Sequence, residues 1–444
     1  AGEYEVYQWG AELWGPYPSV TVKPGQITDL GSLVQISLGG YEFVMLPLQV
    51  PEFSHHVEAA VSEYRSVLST TTLIEWQPSA PPQPMIMRAP ATGLGLIGDL
   101  LIEYSRRVNK PSLNSQLKAA KTIPEFLAIA KTAATPLVDD VASDGPGTLY
   151  YPADYGQIRV RNAAGEWSAI DTGTLHRLTA AEYVSGRLVA GAHDGSIRIS
   201  EDGGKTWRKA ASVPNNDAVI DIDRVGSRWF VMAAHPSMRF GLEMTDRLSL
   251  YVSESDDFSG LKLLKEATTD PNLVALNFQG ERAEAVGNYY FVLMSPALLR
   301  LDLNTMELRD ISPPVRMDGF RTSRTSNLIT AWRQQGMFSK LFVSSDFGDS
   351  WREYDAPPYI IHQIYFETPS DGRAVRMAAG AFTGTLEMFK YDSSKNNWTK
   401  THEAPRGCNF MFHDDAGIAR FCITAGGSIL SYVDDKWSME FSAE

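Results

Sequence analysis

Two octets of this chain, SEDGGKTW at residues 200–207 and SSDFGDSW at 344–351, are spelled almost alike 144 positions apart. Both fit Ser-x-Asp-x-Gly-x-Thr/Ser-Trp, and each letter suits a tight turn between two strands. The carboxylates of Asp202 and Asp346 can accept backbone N–H groups of their own turn, and Gly204 and Gly348 supply a left-handed backbone angle. Hydroxyls, beginning with Ser200 and Ser344, pin the turn, and Trp207 and Trp351 lay their rings over it. Such a device fastens a hairpin; it is not a catalytic arrangement.

Aligned on the final Trp, the same layout recurs with weaker spelling. Hairpin-closing hydrophobic residues fall at Trp167, Trp207, Leu263, Leu308, Trp351, Trp398 and Trp437, with gaps of 40, 56, 45, 43, 47 and 39 residues. Ahead of each anchor lie two β-rich runs joined by a short turn, as in RLVAGA-HDG-SIRIS and AVRMAAG-AFTG-TLEMFKYD, and ahead of those another short run ending in a turn. Four antiparallel strands per unit, at a period of roughly 40–56 residues, describe propeller blades. The expected fold is therefore mainly β: a seven-bladed β-propeller over 135–444, with six or eight blades also open, preceded by a smaller α+β domain over 1–134.

At these residues the chain resembles the Asp-box (bacterial neuraminidase repeat) propellers, a group that includes sialidases, sortilin-type receptors, some xyloglucan hydrolases and a photosystem-assembly factor. The resemblance covers the last two-thirds of the chain and implies a fold more than a chemistry, because in the enzymes of this group the box lies away from the active face. A sialidase-like site would require three arginines on the substrate carboxylate, a Tyr–Glu nucleophile pair, an acid/base Asp and an early Arg-Ile-Pro. No Arg-Ile-Pro occurs here. Arg159 and Arg161 alternate with Ile158 and Val160 and read as a solvated strand face. A hydrolase using paired carboxylates from different blades stays open, since no one acidic pair stands out.

Composition narrows the field. With 43% apolar and 21% charged residues the chain is globular rather than disordered. Its net charge of −13, from 40 basic and 53 acidic residues, argues against nucleic acid, which needs a basic patch to displace counterions. No run of 18 apolar residues exists, so no transmembrane segment is expected; LGLIGDLLIEY is short and carries Asp99 and Glu103. The opening AGEYEVYQWG lacks a signal-peptide pattern, as a mature exported chain also would. Cys408 and Cys422 flank a strand–turn–strand reading centred near residue 415, which brings the thiols together as a disulfide candidate and favours an extracytoplasmic location.

The first third reads as strands with Gly-containing turns up to Pro51. Helical spacing follows in HHVEAAVSEYRSVL, IGDLLIEYSRRV, LNSQLKAA and PEFLAIAKTAA, the last opened by Pro124. GLGLIG at 93–98 satisfies Gly-x-Gly-x-x-Gly but lacks the flanking strand and downstream acid of a dinucleotide site. Adjacent His55 and His56 diverge, and the other histidines are scattered, so neither a metal nor a cofactor is expected. The sequon Asn397-Trp398-Thr399 falls in an expected turn.

Propellers bind ligands over the channel with the turns joining strands two and three and the connections between blades. Here the former are Asp154-Tyr155, His193-Asp194, His235–Arg247, Ser295-Pro296, Arg333–Ser339, Phe382-Thr383 and Gly426-Gly427. Candidate ligand-face residues are Asp154, Tyr155, His193, Asp194, His235, Arg239, Trp332, Arg333 and Phe382. Their aromatic and ionic mixture suits a protein partner, with a glycan as the alternative. The leading expectation is a non-catalytic propeller that binds a protein; the second is a sialidase-like glycoside hydrolase or carbohydrate-binding propeller.

Overall fold

The computed structural model describes residues 2–4, 8–9, 12–13, 19–37, 42–48, 72–75, 84–88, 112–136, 140–145, 147–239, 242–269, 283–294, 296–323, 326–333, 340–357, 361–377, 386–405, 407–414, 418–424, 427–434 and 436–442. Two compact units divide the chain, residues 1–132 (with residue 444) and 133–443.

The second unit is a propeller of seven blades, each a four-stranded antiparallel meander whose strands are consecutive in sequence. Blade 1 runs from Ala142 to Asp171, blade 2 from Leu178 to Ser212, blade 3 from Ala218 to Thr268 and blade 4 from Ala283 to Asp310. Blade 5 runs from Gly319 to Tyr354, blade 6 from Ile361 to Glu403 and blade 7 from Cys408 to Phe441. The first strands of successive blades touch one another, which makes them the innermost layer around the axis. Short apolar runs buried on both faces, such as RLVAGA and YYFVLM, can become strands only if sheets cover them on each side, and stacking blades around a ring supplies both covers.

One apolar cluster fills each junction between neighbouring blades. Ile158, Leu178 and Ala190 join blades 1 and 2, and Trp229 and Val189 lie between 2 and 3. Phe230 and Tyr290 pack between 3 and 4, and Phe291 and Phe320 between 4 and 5. Phe366 and Leu341 serve 5 and 6, and Val375 and Met411 serve 6 and 7. The seventh cluster, Leu149 and Tyr151 against Phe412 and Phe421, joins blade 7 back to blade 1 and closes the ring.

The octets form the turns between strands three and four. In blade 2, Asp202 Oδ1 accepts the Ser200 hydroxyl at 2.8 Å and the N–H groups of Lys205 and Thr206 at 3.0 and 2.9 Å, while Oδ2 accepts the Thr206 hydroxyl at 2.7 Å. Blade 5 repeats this, with Asp346 accepting from the Ser344 hydroxyl at 2.8 Å and from the Ser350 N–H and hydroxyl at 2.9 and 2.6 Å. Gly204 and Gly348 have φ of +93° and +89°. Each also has no room for a side chain, because a Cβ would lie 2.7 Å from Ile170 Cδ1 and 2.4 Å from Ile311 Cδ1, both on the preceding blade.

The same side-chain acceptor logic governs four more blades under weaker spelling. Asn162 Oδ1 accepts the N–H groups of Ala164 and Glu166, and Asp257 accepts the Ser255 hydroxyl at 2.6 Å. Asp302 accepts the N–H groups of Asn304 and Thr305, and Asp392 those of Ser394. These donors hold the carboxyls of Asp202, Asp257, Asp346 and Asp392 below the usual carboxylate range. In blade 3 the match is Ser255-Asp257-Phe258, with Phe258 at φ +59° just as Phe347 is in blade 5. Leu263 is therefore not the covering hydrophobe expected of it: it stands 52% exposed on the outer strand.

The tryptophans do more than cover turns. The Trp351 indole donates to the Ile311 carbonyl at 2.7 Å and Trp398 to the Asp355 carbonyl at 2.6 Å, in each case on the preceding blade. Trp167 donates to Glu440 Oε2 at 2.9 Å, across the junction of blades 7 and 1. Arg161 makes a two-pronged bond to the same carboxylate, 2.8 Å on each arm. Arg159, 3% exposed, lies over the Phe441 ring at 4.6 Å. These arginines are thus not a solvated strand face; that reading fails because strand alternation reports which residues share a side and not what covers it.

Cys408 and Cys422 are joined as a disulfide in blade 7, Cα atoms 5.8 Å apart. A bulge between Cys408 and Phe410 sets them diagonally, Cys408 opposite Thr424 and Cys422 opposite Met411.

In the first unit, Ser32–Ser37, Glu42–Leu48 and Met85–Arg88 form an antiparallel sheet, and Gln26–Asp29 pairs in parallel with Thr72–Glu75. Among the described residues two helices follow, Ser112–Ala119 and Ile123–Thr132. The second is capped reciprocally: Glu125 Oε2 accepts the Lys121 and Thr122 N–H groups, and the Thr122 hydroxyl accepts from the Glu125 N–H. The helical stretches expected over 55–68 and 97–108, and GLGLIG, lie outside the described residues.

Glu440 is 13% exposed, so its removal strands the Arg161 guanidinium and the Trp167 indole N–H at the ring's closing junction. Glu440→Ala is expected to lower stability by about 2 kcal/mol in urea melts. Glu353→Ala, which removes an exposed pair with Lys340, should cost less than about 0.5 kcal/mol. Equal losses would show that the seam pair does not secure the closure.

Candidate partner-binding face

The turns between strands two and three interlock with the connections between blades through the backbone, which gathers both sets at one end of the ring. The Leu178 N–H donates to the Ala153 carbonyl, Gly156 to His176, His193 to Arg177, Val213 to Gly195 and Met317 to Pro296. On blades 1 to 3 the side chains there pair in a continuous arc. Arg177 Nε lies 3.2 Å from Asp154 Oδ1, and His176 Nε2 lies 3.3 Å from Asp194 Oδ2. Asp217, 1% exposed, receives His235 Nδ1 at 2.7 Å on one oxygen and Arg247 at 3.0 Å on the other.

Tyr155 sits in this arc in a left-handed conformation, φ +56° and ψ +35°, which a residue with a Cβ adopts at a cost of about 1–3 kcal/mol. Gly156 beside it leaves no choice of residue, since a Cβ would come within 2.0 Å of the Thr174 carbonyl oxygen. Burial pushes the Asp154 carboxyl up, and the Arg177 guanidinium opposes the shift.

His235–Arg247, expected to be an inserted loop, is instead the far end of two 12-residue strands, Arg228–Arg239 and Leu242–Ser253, paired as far as Arg239 opposite Leu242. The Thr269 N–H donates to the Asp246 carbonyl at 2.9 Å and buttresses its base. Asp217 ties both strands together where the hairpin leaves the blade. On blades 4 and 5, Pro296, Ser312, Pro313, Arg316 and Arg333 line a shallow depression of about 450 Å³.

The expected residues divide accordingly. Asp154, Tyr155, His193, His235 and Arg333 lie on this face. Arg239 stands at the hairpin tip by its backbone. Two others turn inward. Trp332 is 6% exposed and packs its ring on Gly319, where a Cβ would meet it at 2.4 Å, because the apolar strand Ile329–Arg333 buries its last ring instead of presenting it. Asp194, 7% exposed, accepts the Ser196 N–H and hydroxyl and so holds its own turn. Phe382 lies outside the described residues. Arg177, Asp217 and Arg247 were not singled out from the sequence. The signal available was their place in connections between blades, which share this face by topology.

Nearer the axis, carboxylates bind the inner strands to one another. Asp140 accepts the Ala181 N–H at 2.8 Å, Asp221 the Ala283 N–H at 2.7 Å and Asp223 the Tyr290 hydroxyl at 2.5 Å, each across a blade junction. Burial, reinforced by Asp223 and Asp140, raises the Asp221 carboxyl well above its ordinary range. Among the described residues no His/Cys/Asp/Glu group has the arrangement of a metal site.

No protein-family model and no curated protein matches the chain. Solved structures do. YCF48 bound to a D1 peptide is 12% identical, with 68% of this chain and 93% of that one covered and a TM-score of 0.46. YCF48 from Cyanidioschyzon merolae gives 12%, 69%, 95% and 0.46. An ancestral GH74 enzyme gives 13% identity and a TM-score of 0.40, with 69% of this chain and 46% of that one covered. The fold assignment rests on the seven sheets themselves.

Asp217→Asn removes the charge that both His235 and Arg247 face. Amide exchange across 235–247 is expected to accelerate about tenfold, equivalent to about 1.4 kcal/mol of local opening, with blades 5 to 7 unchanged. Unaltered exchange in the hairpin would show that the pairing does not hold it.

Proposed function

We propose that this propeller is a non-catalytic binding module that takes a protein partner on the loop face of blades 1 to 3. The observation that carries this reading is the paired arc Asp154–Arg177, His176–Asp194 and Asp217 with His235 and Arg247. Charges fixed against one another keep their positions before a partner arrives, so less ordering is required on binding. Tyr155 adds an aromatic group in a fixed backbone conformation, the kind of anchor that protein interfaces favour, and the blade 3 hairpin extends the same face.

A second reading, a glycan ligand or paired-carboxylate hydrolysis, draws support from Asp221, whose raised carboxyl lies near Asp223 and Asp140 as a general acid's would. Against it, all three carboxylates already hold neighbouring strands.

The test is cross-linked capture from native extract, with wild-type chain beside Tyr155→Gly and Arg177→Glu. Tyr155→Gly relieves the backbone strain, so stability should hold or rise while capture falls. The reading predicts a partner cross-linked to residues 154–247 and lost in both variants. Capture unaffected by either variant, or turnover of any glycoside in a fluorogenic panel, would sink it.

The same reading locates the chain outside the cytoplasm, supported by the Cys408–Cys422 bond, since such bonds persist in oxidising compartments. Protein denatured directly from its native source should titrate with no free thiol. Two reactive thiols would return it to a reducing compartment.

A further inference from the structure

Around the axis, the first strands of blades 3 and 4 and the connection into blade 1 bring carboxylates together. Asp221 and Asp223 lie two residues apart on the strand Ala218–Val225, and both reach into blade 4. Asp221 Oδ2 accepts the Ala283 N–H at 2.7 Å, and Asp223 Oδ2 accepts the Tyr290 hydroxyl at 2.5 Å. Glu284 follows Ala283 on the facing strand. Asp140, just ahead of the first strand of blade 1, accepts the Ala181 N–H of blade 2 at 2.8 Å and also bears on Asp221. Among the described residues, the charged groups that act most strongly on Asp221 are therefore Asp223 on its own strand, Glu284 on blade 4 and Asp140 from the connection into blade 1, all of one sign. Tyr290, the titratable neighbour on blade 4, stays neutral, because burial and the same carboxylates raise its hydroxyl.

We propose that this cluster is a pH-sensitive fastening, and that the ring tightens as its surroundings turn mildly acidic.

Four carboxylates gathered at one place repel one another when all are ionised, and a proton taken up by one relieves the other three. That proton does not displace the bond across the junction. The donor from blade 4 to Asp221 is a backbone N–H, and a neutral carboxyl still accepts it through its carbonyl oxygen. Burial first, then Asp223 and Asp140, hold the Asp221 carboxyl well above its ordinary range, and the Ala283 N–H only partly opposes them. A raised carboxyl means that the folded chain binds more protons than the unfolded one from about pH 3.9 upward. The stability this confers is complete below that value and is lost as the pH rises through the raised one.

Other carboxyls act elsewhere or can be separated. Asp202, Asp257, Asp346 and Asp392, held low by their turn donors, stay ionised in mild acid and lose their contribution only in strong acid. Asp154, raised by burial against Arg177, adds to the same slope on the loop face. The fastened junctions, 1–2 and 3–4, involve the blades that carry the loop-face arc, so acidification firms the frame of that face. The fastening does not depend on the partner proposed there.

Thermal melts of the full chain at pH 8 and pH 5, at constant ionic strength, test this. The wild-type midpoint is expected to be higher at pH 5 by about 3 °C or more. Asp221→Asn keeps an acceptor oxygen and cannot ionise; it should melt about 3 °C above wild type at pH 8 and lose most of that advantage at pH 5. Acidification also reduces the repulsion of a chain of net charge −13. Glu254→Gln, at a side chain 78% exposed, is therefore the control: it removes the same charge and should leave the pH slope unchanged. A wild-type midpoint that is equal or lower at pH 5, a folded Asp221→Asn variant less stable than wild type at pH 8, or a slope that Glu254→Gln flattens as much as Asp221→Asn would overturn the proposal. If Asp221→Asn does not fold, the wild-type Ala283 N–H decides. Its protection, corrected for intrinsic exchange, should be about tenfold greater at pH 5 than at pH 8, a larger change than in blades 5 to 7. An equal change in all blades would overturn the proposal too.

Discussion

Closure of the ring is the constraint on which everything else in this propeller depends. Each blade is built from four consecutive strands, so no strand from one end of the chain completes a blade at the other. Among the described residues the seam between blades 7 and 1 is therefore held through side-chain contacts. Arg161 and Trp167 share the Glu440 carboxylate, the Tyr151 hydroxyl donates to the His413 carbonyl at 2.6 Å, and Tyr151 packs edge-on against Phe412. A half-buried ion pair gains little on its own because both ions lose water. Here the carboxylate also takes an indole N–H, and the Arg161 guanidinium lies over the Phe421 ring at 5.1 Å, so the desolvated groups are satisfied from several sides. Loops as far apart in sequence as Asp154 and Gly427 share one face while this seam is shut.

The seam is also the clearest instance of a device used around the ring. A turn between strands three and four is tightened by an Asn or Asp side chain, which fixes the start of the fourth strand. The Trp that opens that strand then reaches backward to the preceding blade, as Trp351 reaches Ile311 and Trp398 reaches Asp355. The glycines of the two octets belong to the same device, because they admit Ile170 and Ile311 from the blade before. The near-identical spelling at 200–207 and 344–351 thus encodes local turn chemistry and inter-blade fit together. Blade 3 departs from it in having no Trp after this turn; there Asp256 faces Arg187 of blade 2 at 3.4 Å and accepts the Trp229 indole of its own blade at 2.9 Å.

How much of this was legible in the sequence follows from what each signal encodes. Turn chemistry is local, so Ser200, Asp202 and Gly204 announced their hairpin and the spacing announced seven units. Ring neighbours are not local. Arg159 and Arg161 looked solvated because nothing within the strand Gln157–Arg161 reveals that Phe441 and Glu440, some 280 positions away, cover them. Trp332 looked like a loop residue because the strand's end was legible and its facing side was not. Leu263 was misplaced because blade 3 spells no Trp after its turn, and the buried ring is Phe258 within the turn itself. On the loop face, Asp154 and Tyr155 could be picked out as turn residues, whereas Asp217 gains its meaning only from partners 18 and 30 positions on.

The axis and the loop face use charge differently. At the axis, Asp140, Asp221 and Asp223 are engaged by donors from the next blade, and the raised Asp221 carboxyl shows how strongly that enclosure resists a further negative charge. A carboxyl that accepts a backbone N–H there links two inner strands whether or not it is ionised, so the axis is suited to holding blades in register. On the loop face the pair Asp154–Arg177 is open to solvent, 32% and 42% exposed, beside the buried Asp194 and Asp217, and a partner can add to such a pair without first desolvating a lone charge.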